Sequence, residues 1–334
     1  MTTGAAQSAL PLKIVMPGGS GHLGQSLSRA LRARGHEVVV LSRTARGGPC
    51  AVAWDGQTLG PWGGELDGAD AVINLAGRSV NCRYTAANLE EMLDSRVEST
   101  RAVGRAIEGA RRPTRVWLQA STATIYAHRF DAPNDEPTGA IGGGEPGVPA
   151  YWRTSVEIAK VWERALWEAA APGTRRVALR SAMVMSARTG GVLHVLARLA
   201  RVGLGGPIAG GRQYVSWIHE RDFVRAVEFL LEREDLDGRV NVAAPLPLPQ
   251  RDFMAALRAA MGVPVGLPAT AWMVRVGAVF LRTDAELVLK SRRVVPRRLL
   301  DAGFAFDFPE WPAAAHDLVA RTRADRGGAR YRLG

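Results

Sequence analysis

A run of glycines, Gly18-Gly19-Ser20-Gly21-His22-Leu23-Gly24, follows directly on a short β-type segment at 13–16. Behind it, Leu23, Leu27, Ala30 and Leu31 recur at helical spacing up to Gly35, and 38–41 is a second apolar strand. Strand, glycine turn, helix and strand in about 30 residues is the context that gives such a run meaning. Gly18 permits a tight turn, Gly21 has no side chain to block a pyrophosphate, and Gly24 is expected to let the helix pack against the sheet. The helix start then offers unpaired N–H groups and a positive dipole end to phosphate. Gly18, Gly21, His22, Leu23 and Gly24 are therefore expected to cradle a dinucleotide.

The alternation continues down the chain. Segments 71–75, 116–120, 176–184 and 239–242 read as strands, and 86–110, 156–171 and 221–231 as helices. Alternating elements imply an α/β fold: a Rossmann-type doubly wound parallel sheet with helices on both faces. The nucleotide-binding domain is expected over 12–245, with 186–217 contributing to the substrate side. After Pro245 helical patterns take over, at 253–261, 269–281 and 284–292, and predict a smaller helical substrate region over 246–315. Stretch 138–149 is rich in Gly and Pro and reads as a mobile loop where a lid can sit. Segments 1–11 and 321–334 read as flexible ends.

Charge and composition narrow the class. Lys+Arg exceeds Asp+Glu by 43 − 32 = 11, but only three lysines occur and the arginines are scattered. A nucleic-acid surface would concentrate its charge in a stripe with interleaved aromatics, so no nucleic-acid partner is expected. Residues 1–12 lack the basic start and apolar run of a leader, and 269–281 holds Arg275 and is too short to span a bilayer. Cys50 and Cys82 fit neither a metal pair nor a disulfide framework, and no His/Cys/Asp/Glu cluster has ligand spacing. A cytoplasmic protein without a metal or a membrane partner is the expectation.

The second strand ends in Ser42-Arg43. An acidic residue there would bind a ribose 2′-hydroxyl, whereas an arginine accommodates a 2′-phosphate, so Arg43 points to NADP(H). Asn74-Leu75-Ala76-Gly77 places small residues at a strand's carboxyl end, where ligands sit.

These motifs resemble an extended short-chain dehydrogenase/reductase of the NAD-dependent epimerase/dehydratase superfamily. Further stretches narrow the resemblance to an atypical subfamily, the "epimerase family proteins" with a C-terminal domain of unknown function. They are Arg83-Tyr84-Thr85, 94–100, 203–208, Gly211-Arg212-Gln213-Tyr214, Trp217-Ile218-His219, 241–245 and the ending around Pro296, Leu299 and 302–306. The likeness runs from about residue 13 to 312. It implies cofactor contacts at Ser42, Arg43, Leu75, Ala76, Gly77, Glu91, Arg96 and Val184, and by analogy a homodimer.

Reductases of this superfamily pair a Tyr with a Lys four residues later, so that the cation lowers the phenol's pKa. Here the residues four after Tyr84, Tyr126, Tyr151 and Tyr214 are Asn88, Phe130, Ser155 and Ile218, so the pair is absent. Aligned on Trp162-Glu163, its positions fall on Thr154 and Ile158. Ser121, the match to the family's catalytic hydroxyl, its neighbour Thr122, Tyr126 and Tyr151 are the remaining catalytic candidates. Arg212, Gln213, Trp217 and His219 are candidates for the substrate side. The leading reading is an NADP(H)-binding epimerase-like oxidoreductase acting on a small organic molecule. A non-redox cyclase, dehydratase or isomerase on the same scaffold is the alternative, and an NADP-sensing binding module is the third.

Overall fold

The computed structural model describes residues 10–44, 50–149, 151–280 and 283–331, with side chains through 324. The chain opens with β1 (Lys13–Pro17), α1 (His22–Ala33), β2 (Glu37–Ser42), β3 (Ala51–Ala53) and β4 (Ala71–Asn74). It continues with α2 (Ala86–Glu108), β5 (Val116–Thr122), α3 (Trp152–Glu168), β6 (Arg175–Ser181) and β7 (Met183–Met185). Next come α4 (Val192–Arg201), β8 (Tyr214–Val215), β9 (Trp217–His219), α5 (Glu220–Glu232), β10 (Gly238–Val242) and β11 (Leu248–Pro249). The C-terminal part is α6 (Gln250–Met261), α7 (Ala271–Phe280), α8 (Glu286–Leu289), α9 (Arg297–Asp301) and α10 (Trp311–Tyr331).

Seven strands form one sheet in the order β10-β6-β5-β4-β1-β2-β3, every neighbouring pair parallel. Strand direction through the sequence reverses between β1 and β4, which opens a crevice at their carboxyl ends. The pleat sorts the side chains. Ile14 and Met16 of β1 face Leu27 and Leu31 of α1 and Phe223, Val227 and Leu230 of α5. Val15, with Val72 and Trp117, faces Val103 of α2 and Leu166 of α3. Each fully buried aliphatic of this kind contributes roughly 1.5–3 kcal/mol. The doubly wound sheet is the one its sequence pattern predicts.

A third cluster lies beyond the sheet. Phe253 of α6 stacks on Trp311 of α10 at 4.0 Å, and Trp217 of β9 meets the same indole edge-on at 4.9 Å. Leu193, Leu257 and Leu318 complete it. Two-stranded pairings, β7 with β9 and β8 with β11, carry the chain between sheet and cluster.

Several local expectations are corrected. The strand read over 176–184 is two, β6 and β7, broken at Ala182, whose N–H turns to the Val242 carbonyl. Within 284–292 only Glu286–Leu289 is helical, and the chain then runs extended to bridge Asn134 through Val294. Residues 311–331 form a helix. Trp311, Ala314, Ala315, Leu318 and Val319 give that helix a buried stripe. The loop at 138–149 is not loose over its first half, because Gly139, Gly142 and Gly143 donate to Asp135 O, Ile125 O and Glu145 Oε2. Expectations for residues 1–9 and 332–334 lie outside the described residues. Among the described residues no helix is long and apolar enough to cross a membrane, and no group of His, Cys, Asp and Glu is arranged to hold a metal.

Gly18 (φ +74°) and Gly35 (φ +88°) share a left-handed backbone, but a Cβ on Gly18 would stand 2.7 Å from Ala76 N, while one on Gly35 would meet nothing within 4 Å. Gly18→Ala is therefore expected to cost at least about 2 kcal/mol more than Gly35→Ala in urea unfolding. Equal costs would show that backbone strain, and not the contact with Ala76, explains Gly18.

Candidate active site

The turn after β1 is held by its own backbone: Gly18, Gly19 and Gly21 donate to Leu41 O, Met16 O and Gly18 O at 3.0–3.1 Å. Gly24 packs closely on this turn, since a Cβ there would lie 2.5 Å from Gly19 Cα. Gly21 is the N-cap of α1 and offers no side chain to cap it, and the first turn holds no acid. The opening N–H groups at His22 and Leu23 thus lack an intrahelical partner at the positive end of the helix dipole. By contrast, α5 is capped by the His219 side chain and carries Glu220 and Asp222 in its first turn. His22 is half-buried, with an Nε2 that has no partner among the described residues, and a Cβ on Gly191 would lie 3.1 Å from it. Burial, then the charge of Arg188, lowers its pKa.

At the end of β2 the Ser42 hydroxyl donates to Ser20 Oγ at 2.9 Å, tying the strand to the glycine turn. Arg43 follows, exposed and without a hydrogen bond or ion pair among the described residues. On the other side of β1, Leu75 N donates to Pro17 O at 2.8 Å and Ala76 N to Asn74 Oδ1 at 3.0 Å. The next residue, Gly77, lies on Arg96, where a Cβ would meet that side chain at 3.3 Å.

Arg96 and Glu91, for which the resemblance implies cofactor contacts, stand on α2 beside the loop that follows β4. The Arg96 guanidinium is buried, donates to Met92 O and Arg78 O, and lies 5.0 Å from the Trp162 ring. Burial lowers its pKa to about 10. It braces the 75–78 loop from behind. Glu91 pairs with Arg78 at the surface of the same loop. Val184 lies within β7, in register with Ile218 of β9.

A buried ion pair occupies the ground between β5, β6 and α3. Arg180 grips Glu163 with two hydrogen bonds of 2.8 Å. Ser121 donates to the same carboxylate at 2.7 Å, and Arg239 reaches it at 3.2 Å. Arg180 also donates to the Tyr126 hydroxyl, which donates to Asn241 Oδ1 at 2.9 Å. Burial alone would raise the Glu163 pKa, but the Arg180 hydrogen bonds and charge outweigh it and the net shift is downward. Burial raises the Tyr126 phenol despite Arg180. Both candidate hydroxyls, Ser121 and Tyr126, are thus spent on architecture. Thr122 is half-buried and accepts from Thr124 N, and its hydroxyl proton has no acceptor among the described residues. Tyr151 is 42% exposed ahead of α3, and burial of the remainder pushes its phenol up, not toward neutrality. Four residues on, Ser155 donates to Glu286 Oε2.

The substrate-side candidates also divide. Gln213 is buried and donates to Ile208 O and Val288 O, holding the glycine-rich loop to the C-terminal segment. Trp217 is a core residue against Trp311. His219 is fully buried: Nδ1 accepts from Arg221 N, which leaves Nε2–H to face Asp317 Oδ2 at 3.0 Å, and the ring stacks on Phe308. Of the four only Arg212 is exposed, and it has no partner among the described residues.

Glu286, Lys290 and Arg292, beside Ser155 and Thr124, were not among the sequence's site candidates, nor was Tyr84 of the motif at 83–85. Lys290 donates to Thr124 O at 3.0 Å and lies 3.6 Å from Glu286. Burial, then Arg292, lowers its pKa to about 8. Burial raises Glu286, and raises Tyr84 with help from the Glu286 charge. The available signal was a Glu–Lys pair four apart, Glu286 and Lys290, bracketing the apolar Leu287-Val288-Leu289.

A model of the NAD dependent epimerase/dehydratase family matches residues 14–243, and one for a domain of unknown function, DUF1731, matches 269–318. The chain is similar to epimerase family protein SDR39U1 of Bos taurus, 35% identical over 317 residues, covering 92% of this chain and 100% of the relative. The crystal structure of human epimerase family protein SDR39U1 (isoform2) with NADPH matches with TM-score 0.80 and 31% identity, covering 92% of this chain and 99% of that one. A nucleoside-diphosphate sugar epimerase from Corynebacterium glutamicum, 23% identical, shares the fold with TM-score 0.72 over 98% of this chain and 68% of that one.

Burial holds the His219 pKa below its ordinary 6.5. Between that folded value and 6.5 the unfolded chain binds more protons, so this residue's contribution to stability is lost as pH falls. Raised carboxylates such as Glu136 and Glu228 act with the opposite sign, so the informative quantity is a difference. The stability of wild type relative to His219→Asn is expected to shrink as pH is lowered from 7 to 5. A difference independent of pH would remove the neutral, N-capping His219.

Proposed function

The chain belongs to the NAD dependent epimerase/dehydratase family, and on that premise we propose that it is an NADP(H)-dependent, epimerase-like oxidoreductase acting on a small organic molecule. The observation that carries this reading is the pairing of an uncapped helix start at Gly21 with an exposed Arg43, without a partner among the described residues, at the end of the neighbouring strand. One supplies N–H donors and a positive dipole end for a diphosphate. The other supplies a guanidinium for a 2′-phosphate. The backbone of Leu75, Ala76 and Gly77 walls the crevice on its far side. The presence of NADPH in the human relative's crystal structure agrees with this choice.

A bound nicotinamide would give or take a hydride. The chain's own contribution is to orient the substrate and exclude water. Among the four hydroxyls first considered, that of Thr122, at the carboxyl end of β5, has no acceptor among the described residues, and its role is to donate a hydrogen bond to a substrate oxygen as charge develops there. Ordinary carbonyl reduction with a Tyr-Lys relay is not available: Ser155 occupies the register four after Tyr151 and is bound to Glu286. That observation favours, as the second reading, a non-redox elimination, cyclisation or isomerisation on the same scaffold.

Arg43→Glu replaces a phosphate donor by a repelling charge. It is expected to weaken NADPH binding by on the order of 10- to 100-fold while NADH changes less than about threefold, read by calorimetric titration of each nucleotide. Equal weakening of the two would remove the basis for the NADP(H) assignment.

A further inference from the structure

Helix α7 is apolar on two sides, and only one of them meets the protein. At about 100° per residue, Ala271, Val274 and Ala278 fall on one side and are buried or half-buried. Trp272, Met273, Val276, Val279 and Phe280 fall on the other side and are 43–83% exposed. The recurrence at 272, 276, 279 and 280 is that of a core-facing stripe, yet here it faces solvent. The one charged residue of the helix, Arg275, stands at the margin of the stripe. The five side chains leave on the order of 400 Å² of apolar surface open, a patch of the size that marks an interaction site. Just before the helix, Leu267 N donates to Gly203 O at 2.7 Å, and Leu267 and the adjoining Leu204 are themselves more than half exposed.

We propose that this stripe is the contact surface of a homodimer, and that its occupant is the same stripe of a second copy of the chain. A two-fold contact must be self-complementary, since residue i meeting j requires j to meet i. The stripe has that property in its sequence. Counted from Val276, Met273 and Val279 lie three residues to either side, and Trp272 and Phe280 four. Two antiparallel copies of α7 crossing at Val276 therefore set each indole against the second copy's Phe280 and each Met273 against its Val279. Aromatic pairs add roughly 0.5–1.5 kcal/mol beyond their buried area. The area also matches. A homodimer interface of standard size takes about 800 Å² from each copy, roughly two thirds of it apolar, and the stripe with Leu204 and Leu267 comes close to that share. The outward sides of the long helices α2 and α3 offer no such surface, because Glu90, Asp94, Arg101, Arg105, Arg164 and Glu168 occupy them. A membrane-surface helix would flank its apolar face with several Lys or Arg, and α7 has Arg275 alone.

The test is sedimentation equilibrium of the full chain over a micromolar concentration series, in which wild type is expected at twice the chain mass. Val276→Glu sets two carboxylates against each other at the crossing and should weaken association by about 100-fold or more. Val276→Lys should do the same with two ammonium groups. An equimolar mixture of the two variants should recover the dimer, because opposite charges then meet where Val276 meets itself. That recovery also shows that neither variant has lost its fold. Arg164→Glu, on the outward side of α3, should leave the dimer unchanged. A wild type that stays monomeric, a dimer that survives Val276→Glu or is abolished by Arg164→Glu, or a mixture that stays monomeric overturns the proposal. So does a wild-type monomer that co-sediments with phosphatidylcholine–phosphatidylglycerol vesicles and loses them on Val276→Glu, which would make the stripe a membrane contact.

Discussion

The backbone contact between the turn after β1 and the loop after β4 sets the geometry on which the rest of the crevice depends. Gly18 has no Cβ because Ala76 N and Cα would stand 2.7 and 2.8 Å from it. Once these two backbones touch, their neighbours follow. Leu75 is fixed to Pro17, Asn74 turns its amide to Gln119 and its carbonyl to Ala76, and Arg96 fills the space under Gly77. The cost of burying the Arg96 guanidinium is offset by two backbone carbonyls and the face of Trp162. The crevice is thus rigid on the side where backbone amides must point at a ligand. The positions it leaves uncommitted are the opening of α1 and Arg43.

On the far side of the sheet the same economy uses up hydroxyls. A buried Arg–Glu pair is tolerable only when further hydrogen bonds fill its remaining sites. For Glu163 and Arg180 those bonds come from Ser121, Tyr126 and Arg239, and Tyr126 in turn donates to Asn241, linking β5, β6, β10 and α3. Breaking one partner out of such a pair typically costs about 3–5 kcal/mol. The pair therefore clamps the helix that would carry the family's reactive residues. That clamp claims the two hydroxyls that motif matching favours, and Thr122, on the opposite pleat of β5, is left over.

The elements that local pattern foretells are those whose causes are local. The glycine turn, α1, α2, α5 and the parallel strands each carry their periodicity and their stops within a dozen residues. Asp222, in the first turn of α5, accepts from Asp307 N and Phe308 N at 2.8 Å. What local pattern misses has distant causes. The α10 stripe has meaning only once Phe253 and Trp217 supply a surface for Trp311. His219 looks reactive in a motif, but its neighbours Arg221, Phe308 and Asp317 turn it into a cap. The run at 284–292 looks helical, and its extended half exists because Val294 pairs with Asn134.

That last pairing has a consequence for chemistry. The C-terminal segment is pinned at two places, by the Ile208–Ala269 bridge and the Asn134–Val294 bridge, with further ties from Gln213 to Val288 and from Ser216 to Arg292 O. A segment held at both ends places its side chains as firmly as a sheet strand does. Lys290 and Arg292 therefore reach Thr124 from a scaffold as fixed as α3 itself. The scaffold thus holds cationic groups beside the end of β5 without drawing them from α3. In this chain the charges beside β5 come from a segment more than 120 residues downstream of α3's start, and their fixed placement follows from strand-like pairing.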